Sequence, residues 1–308
     1  MAVMRLRGDE KKLVSAVPRS KTYQEQVMCN TCGCNVTKGN EHLIQGDGAL
    51  ARTAEGKATI EVLKNLLSEN DHQALHNREH FDEYGVLAIN LMSSPGSGKT
   101  LLLEATIQAL KSEFSLAVIE GDLETENDAE RIRAHGVPAV QIVTGTACHL
   151  DAHLVHLALH DLALAPLDIV FIENVGNLVC PASFDLGHHR NVTVLSVTEG
   201  DDKPAKYPVM FRAADVVLLS KVDLLPYLEE FSLERAAQQV RNLANPAPIF
   251  SLSAKTKQGL EAWFDWIRQE VAAQKLRVQQ GKTALPAMQP DGARLHGLAH
   301  HGHTHSHA

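Results

Sequence analysis

The segment Ser93-Ser94-Pro95-Gly96-Ser97-Gly98-Lys99-Thr100 limits what this chain can fold into more than any other stretch. It follows an apolar run, Val86–Met92, and leads into a helical pattern that begins near Leu101. That order reads as a buried strand, a glycine turn and a helix start. Such a turn exposes backbone N–H groups at the positive end of a helix, where phosphate groups bind. Gly96, Ser97 and Gly98 are expected to form the cradle, Lys99 to reach the β- and γ-phosphates, and the Thr100 hydroxyl to ligate Mg²⁺. The pattern departs from G-x-x-x-x-G-K-S/T at its first position, where Ser93 stands.

The rest of the chain repeats the alternation of strand and helix. Strands are predicted at Val86–Met92, Leu116–Glu120, Ala139–Val143, Ile169–Glu173, Val192–Val197, Val216–Ser220 and Pro248–Leu252. Helices are predicted over 99–112, 126–135, 148–163, 232–244 and 259–274. Strands apolar on both faces and separated by helices define a doubly wound, mostly parallel α/β domain, here residues 85–275. Ahead of it, Ile60, Leu63, Leu67 and Leu75 recur at roughly helical spacing and make 55–84 an amphipathic helical lead-in. Residues 1–54 read as a flexible segment, and the Gln-, Gly-, Pro- and His-rich residues 276–308 as a disordered tail.

Two later strand ends indicate the nucleotide. Ser220-Lys221-Val222-Asp223 and Ser253-Ala254-Lys255 resemble the guanine-reading elements of GTPases. The Asp223 carboxylate can accept from guanine N1–H and the exocyclic amine, a pair that adenine does not present. Lys221 would pack its stem along the base. Glu173, at the end of its strand, is expected to hold the Mg²⁺ shell through water, and Gly176 to turn its amide toward the γ-phosphate. Asp122 sits where a first switch would begin and is expected to position Mg²⁺ or the attacking water, a plain helix cap being the alternative. Lys99, Asp122 and Glu173 are thus the catalytic candidates for GTP hydrolysis.

A formal charge of -8 over 308 residues argues against a nucleic-acid binder. No run of about 18 apolar residues and no secretory pattern is seen, so the expected location is the cytoplasm. There the five cysteines should be reduced and free to act as ligands. Cys29, Cys32 and Cys34 bring three soft donors into one loop, which with a fourth donor is expected to bind Zn²⁺ or Ni²⁺. Met28 directly precedes Cys29. Translation starting at Met28, followed by its removal, would supply the Cys29 α-amine as that donor; a backbone amide or another residue is the alternative. Cys148 and His149 offer two more donors and Cys180 a third, which a symmetric dimer could complete. His153, with His149, His156 and His160, falls on one helical stripe and is a possible ligand. His296, His300, His301, His303, His305 and His307 suit loose buffering of Ni²⁺ or Zn²⁺.

Taken together, the CxxCGC cluster, SSPGSGKT, GDLETENDAERI (121–132), the TGTACH run ending at His149, ENVGNLVCP ending at Pro181, TEGDDKPAKYP (198–208) and SKVDLLPYL (220–228) resemble the HypB-type hydrogenase maturation GTPases. The resemblance runs from Cys29 to about Val271. It implies a GTP-dependent homodimer that works with a HypA-type nickel chaperone and delivers nickel to an apo-hydrogenase large subunit. It also implies high-affinity metal ligands at Cys29, Cys32 and Cys34, and G-domain metal ligands at Cys148, His149 and Cys180. Three other readings compete: a urease-type nickel accessory GTPase, a passive nickel or zinc store with a vestigial nucleotide fold, and a P-loop kinase for a small molecule.

Overall fold

The computed structural model describes residues 58–122, 127–145 and 147–288, with the short strands Tyr23–Gln24 and Gly297–His300. The elements run β1 Tyr23–Gln24, α1 Ala58–Glu83, β2 Leu87–Ser93, α2 Lys99–Leu110, β3 Leu116–Asp122, α3 Asn127–Ala134, β4 Ala139–Val143, α4 Ala152–Leu159 and β5 Ile169–Glu173. They continue with β6 Arg190–Ser196, α5 Lys203–Lys206, α6 Pro208–Arg212, β7 Val216–Ser220, α7 Leu233–Asn242, β8 Ile249–Ser251, α8 Leu260–Gln279, β9 Lys282–Leu285 and β10 Gly297–His300. Strands β1 to β8 form one sheet in the order β1-β4-β3-β5-β2-β6-β7-β8, and every pairing is parallel.

The sheet divides the core by the two-residue period of its strands. Leu87, Ile89 and Leu91 of β2, Leu116 and Val118 of β3, and Ile169 and Phe171 of β5 pack with α2, α3 and α8. Their alternates Ala88, Ala117, Ile119, Val170 and Ile172 pack with α1 and α4. Trp263 of α8 is fully buried, and its Nε1–H donates to Thr106 Oγ1 of α2 at 2.9 Å, locking α8 over the helix that follows the P-loop.

Three expectations are corrected. α4 is shorter than 148–163: Asp151 caps it by accepting from Leu154 N at 2.9 Å, so His149 precedes the helix and leaves the expected stripe. Residues 203–212 form two short helices that the periodicity did not reveal. Chain order also continues past 275: α8 reaches Gln279, β9 pairs antiparallel with β10, and Ala284, Ala287 and Met288 are buried. Asn191 Nδ2 donates to Ala287 O at 3.3 Å, so this polar-looking stretch satisfies a buried amide at the base of the sheet.

Candidate functional site

The P-loop leaves β2 at Ser93 and enters α2 at Lys99. Gly96 and Gly98 have φ of 72° and 95°, a region open to glycine at little steric cost. Ser93 takes an active part in the turn. Its Oγ accepts from Ser97 Oγ at 2.5 Å and from Lys99 Nζ at 2.9 Å, and donates to Ser94 O. The serine at the first position of the motif therefore holds the lysine beside the cradle.

The ends of β7 and β8 meet the P-loop from the other side. Ser220 Oγ donates to Ser97 O at 2.8 Å, and Lys221 Nζ donates to Gly96 O at 2.6 Å. Lys221 has φ 61°, a costly conformation for a lysine that bends the chain so that its stem reaches the loop. Asp223 follows in the 3-10 turn Val222–Tyr227. Leu252 O accepts from Val222 N, and Ser253 Oγ accepts from Thr256 N at 3.1 Å, which sets Ser253, Ala254 and Lys255 beside that turn.

Glu173, at the end of β5, accepts from Thr100 Oγ1 at 3.0 Å and lies 3.9 Å from Lys99 Nζ. Opposite it in the β3/β5 register stands Glu120, which the sequence reading missed. Burial, and then the charge of Glu173, push the Glu120 carboxyl well above the usual carboxylate range. Glu173 is likewise raised by burial, against the pull of Lys99. Glu120 Oε1 and Glu173 Oε2 are buried without a hydrogen-bond partner among the described residues. Two orphaned carboxyl oxygens beside a threonine hydroxyl fit a hard divalent cation. Asp122 closes β3, and its carbonyl accepts from Thr144 N at 2.9 Å.

The second centre lies between the β4–α4 and β5–β6 connections. Cys148 Sγ is 3.2 Å from Cys180 Sγ and 3.8 Å from His149 Nδ1, and ligand atoms of all three lie within 4.8 Å of one another. The His149 ring stacks on Phe184 at a centroid distance of 4.0 Å. Burial holds its pKa at about 4, leaving a neutral imidazole, the form that binds metal. Val179, next to Cys180, is 58% exposed. His153 is in neither of the groups of metal-competent side chains found among the described residues. Cys29, Cys32, Cys34, His296, His301, His303, His305 and His307 lie outside the described residues, and His300 ends β10.

One short segment joins the two centres. Asn177 N–H donates to Ser93 O of the P-loop at 2.7 Å, and its side-chain Nδ2 donates to Cys148 O at 3.3 Å. Gly176 lies against Pro95, where a Cβ would approach Pro95 Cα to 2.8 Å. Asn174 Oδ1 accepts from Leu150 N at 3.1 Å and from Val175 N at 3.0 Å, fixing both loops. Asn174 and Asn177 were not singled out from the sequence, because their partners lie in other loops.

A parallel α/β sheet with a glycine cradle, a buried Lys, Thr and Glu beneath it and a Lys-x-Asp turn on its rim defines a P-loop nucleotide-binding domain of the GTPase kind. The CobW/HypB/UreG nucleotide-binding domain family matches residues 87–251. The hydrogenase maturation factor HypB of Rhizobium leguminosarum bv. viciae is 53% identical over 219 residues, 71% of this chain and 73% of that protein. The Escherichia coli K12 factor of the same name is 48% identical over 237 residues, 77% of this chain and 81% of its own. The crystal structure of Helicobacter pylori HypB in complex with nickel aligns with a TM-score of 0.64 at 42% identity, covering 67% of this chain and 96% of that one. The chain belongs to this family and, within it, to the HypB hydrogenase maturation factors. Among the described residues no helix is long and apolar enough to cross a membrane.

Proposed function

We propose that the chain is a GTP-hydrolysing nickel metallochaperone that inserts nickel into an apo-hydrogenase of the nickel–iron type. In this reading a HypA-type chaperone and the hydrogenase large subunit are its partners, and metal release follows a GTP-dependent change of dimer in the cytoplasm. The observation that carries it is Asn177, which bonds the P-loop through its backbone and the Cys148 carbonyl through its side chain. A γ-phosphate that draws the Gly176 amide toward the cradle pulls on Asn177 and hence on the Cys148, His149 and Cys180 donors. Three donors leave a coordination position for a ligand from a second copy, and exposed Val179 offers apolar surface beside it.

In the hydrolytic step the backbone N–H groups of 96–99 hold the phosphates, and Lys99 turns from Ser93 Oγ to the β- and γ-oxygens. Thr100, Glu173 and Asp122 would hold Mg²⁺, which supplies neutralisation of the developing phosphate charge. Asp223 reads guanine, with Lys221 and the Ser253–Lys255 turn closing over the base. Nickel is the cargo; Zn²⁺ suits the same soft donors and is the expected competitor.

The test is nickel transfer from the loaded full-length chain to a purified apo-hydrogenase large subunit in the presence of the HypA-type partner. GTP should support transfer, and Lys99→Ala should bind nickel yet transfer none. Equal transfer with GDP and GTP would reject the coupling and leave a passive nickel store.

A further inference from the structure

A second group of metal-competent side chains lies away from the nucleotide and cysteine centres. Ligand atoms of His76, His80 and His156 all come within 4.8 Å of one another. His76 and His80 are four residues apart on α1, hence on one face, and His156 with His160 repeats that spacing at the end of α4. Ring centroids lie 4.5 Å apart for His76 and His80, 5.1 Å for His76 and His156, and 4.7 Å for His156 and His160. The four rings thus form a continuous patch where the two helices pack.

The tautomer of the central ring is fixed from below. Asn77 Nδ2 donates to Ala152 O at 2.7 Å and to Leu186 O at 3.1 Å, so its Oδ1 faces the histidine as an acceptor. His156 Nδ1 lies 3.1 Å from that oxygen and therefore carries the proton, which leaves Nε2 with its lone pair. An outer oxygen that orients a ligand imidazole in this way is a common feature of protein metal sites. His80, His156 and His160 also line a cavity of about 320 Å³ with Tyr84 and Leu164, room for a cation with a further small ligand.

We infer that His76, His80 and His156, with His160 beside them, form a third metal site on this chain that takes a late first-row divalent cation such as Ni²⁺ or Zn²⁺. Imidazole nitrogens are borderline donors that suit these ions, whereas Mg²⁺ and Ca²⁺ prefer oxygen. Bonds of about 2.0–2.1 Å bring tetrahedral ligand atoms to roughly 3.3 Å apart. Small side-chain rotations from the observed spacing reach that geometry. A filled site would pin α1 to α4, the helix whose cap, Asp151, lies two residues past His149. The inference does not depend on the GTPase reading.

The experiment uses the full-length, metal-stripped chain titrated with Ni²⁺ alone. Histidine reactivity toward diethyl pyrocarbonate is read residue by residue by mass spectrometry. His76, His80 and His156 should lose reactivity together on one saturation curve, by about tenfold, while His72 one turn earlier stays reactive. In His80→Ala the protection of His76 and His156 should need about tenfold more Ni²⁺, and the metal content at saturation should fall by one equivalent. His156→Gln, which keeps a donor for Asn77 and removes the ligand nitrogen, serves if His80→Ala does not fold. Protection of the three rings at unrelated Ni²⁺ concentrations, or protection that both variants leave unshifted, would overturn the assignment.

Discussion

Replacing Gly176 with alanine puts a methyl group where the P-loop already stands. A Cβ there lies 2.8 Å from Pro95 Cα, 2.9 Å from Pro95 N and 3.0 Å from Pro95 Cγ. Carbon atoms in ordinary contact stay about 3.5–4.0 Å apart, so one segment has to move. The P-loop is pinned by Ser220 Oγ on Ser97 O at 2.8 Å and Lys221 Nζ on Gly96 O at 2.6 Å. The segment 174–180 should therefore yield. Overpacking of this kind costs about 1–3 kcal/mol. At about 2–4 °C per kcal/mol for a domain of this size, the melting temperature falls by about 2–12 °C. The displaced amide no longer reaches the γ-phosphate, so single-turnover GTP hydrolysis should slow by about tenfold or more, the equivalent of about 1.4 kcal/mol. GDP, which lacks that phosphate, should bind within about threefold of wild type, a change under about 0.7 kcal/mol. Calorimetry, single-turnover kinetics and GDP titration check these three outcomes. A variant with wild-type melting and hydrolysis would refute the placement of Gly176 against the cradle.

Further outcomes are expected elsewhere. Asp223→Asn should weaken GTP by about 1.5–3 kcal/mol relative to ATP, read by competition, since a charge-assisted contact to guanine is lost; an unchanged preference would remove Asp223 from the base site. Lys99→Ala should abolish hydrolysis while metal bound at Cys29, Cys32 and Cys34 is kept; loss of both would mean the two units are not separate. Acidification should destabilise the fold through His188. Its Nδ1 accepts from Leu186 N at 3.3 Å, its Nε2 lies 2.7 Å from Asn191 Oδ1, and burial holds its pKa at about 4. The unfolded residue, near 6.5, binds the proton first, so stability falls as pH drops from about 6.5 to 4, by about 3 kcal/mol in total. Above about pH 7.5 the residue contributes no slope. Urea unfolding across this range should show the loss, and His188→Gln should lessen it by about 3 kcal/mol while the share of His149, whose pKa burial also holds at about 4, remains; an undiminished loss in the variant would show that His188 does not contribute.

The sheet was legible because its strands are buried on both faces and read as apolar runs; Ala139–Val143, Ile169–Glu173 and Val216–Ser220 match the structure end to end. The P-loop was legible because glycine and lysine have few substitutes there. Other features depend on neighbours that sequence order hides. Glu120 pairs with Glu173 only through sheet register. Asn177 matters through Ser93 and Cys148, which lie in two other loops. The His76 and His80 pair is visible at helical spacing, but its meeting with His156 is a property of helix packing. α5 and α6, of four and five residues, are too short to show a period. Residues 282–288 look like tail because Ala284 and Ala287 are small, and smallness is what lets them be buried.

The central claim is that the nucleotide and nickel centres communicate through the segment 174–180. The direct measurement is Ni²⁺ affinity at the Cys148, His149 and Cys180 centre with GDP and with a non-hydrolysable GTP analogue. It is followed by thiolate-to-nickel absorption in a full-length chain whose Cys29, Cys32 and Cys34 are replaced by serine. The affinities should differ by about 5- to 150-fold between the two states, with nickel shifting nucleotide affinity by the same factor in return. Asn177→Ala should bring that ratio close to one. Equal affinities with both nucleotides in the chain that retains Asn177 would contradict the account and leave two independent sites on one domain.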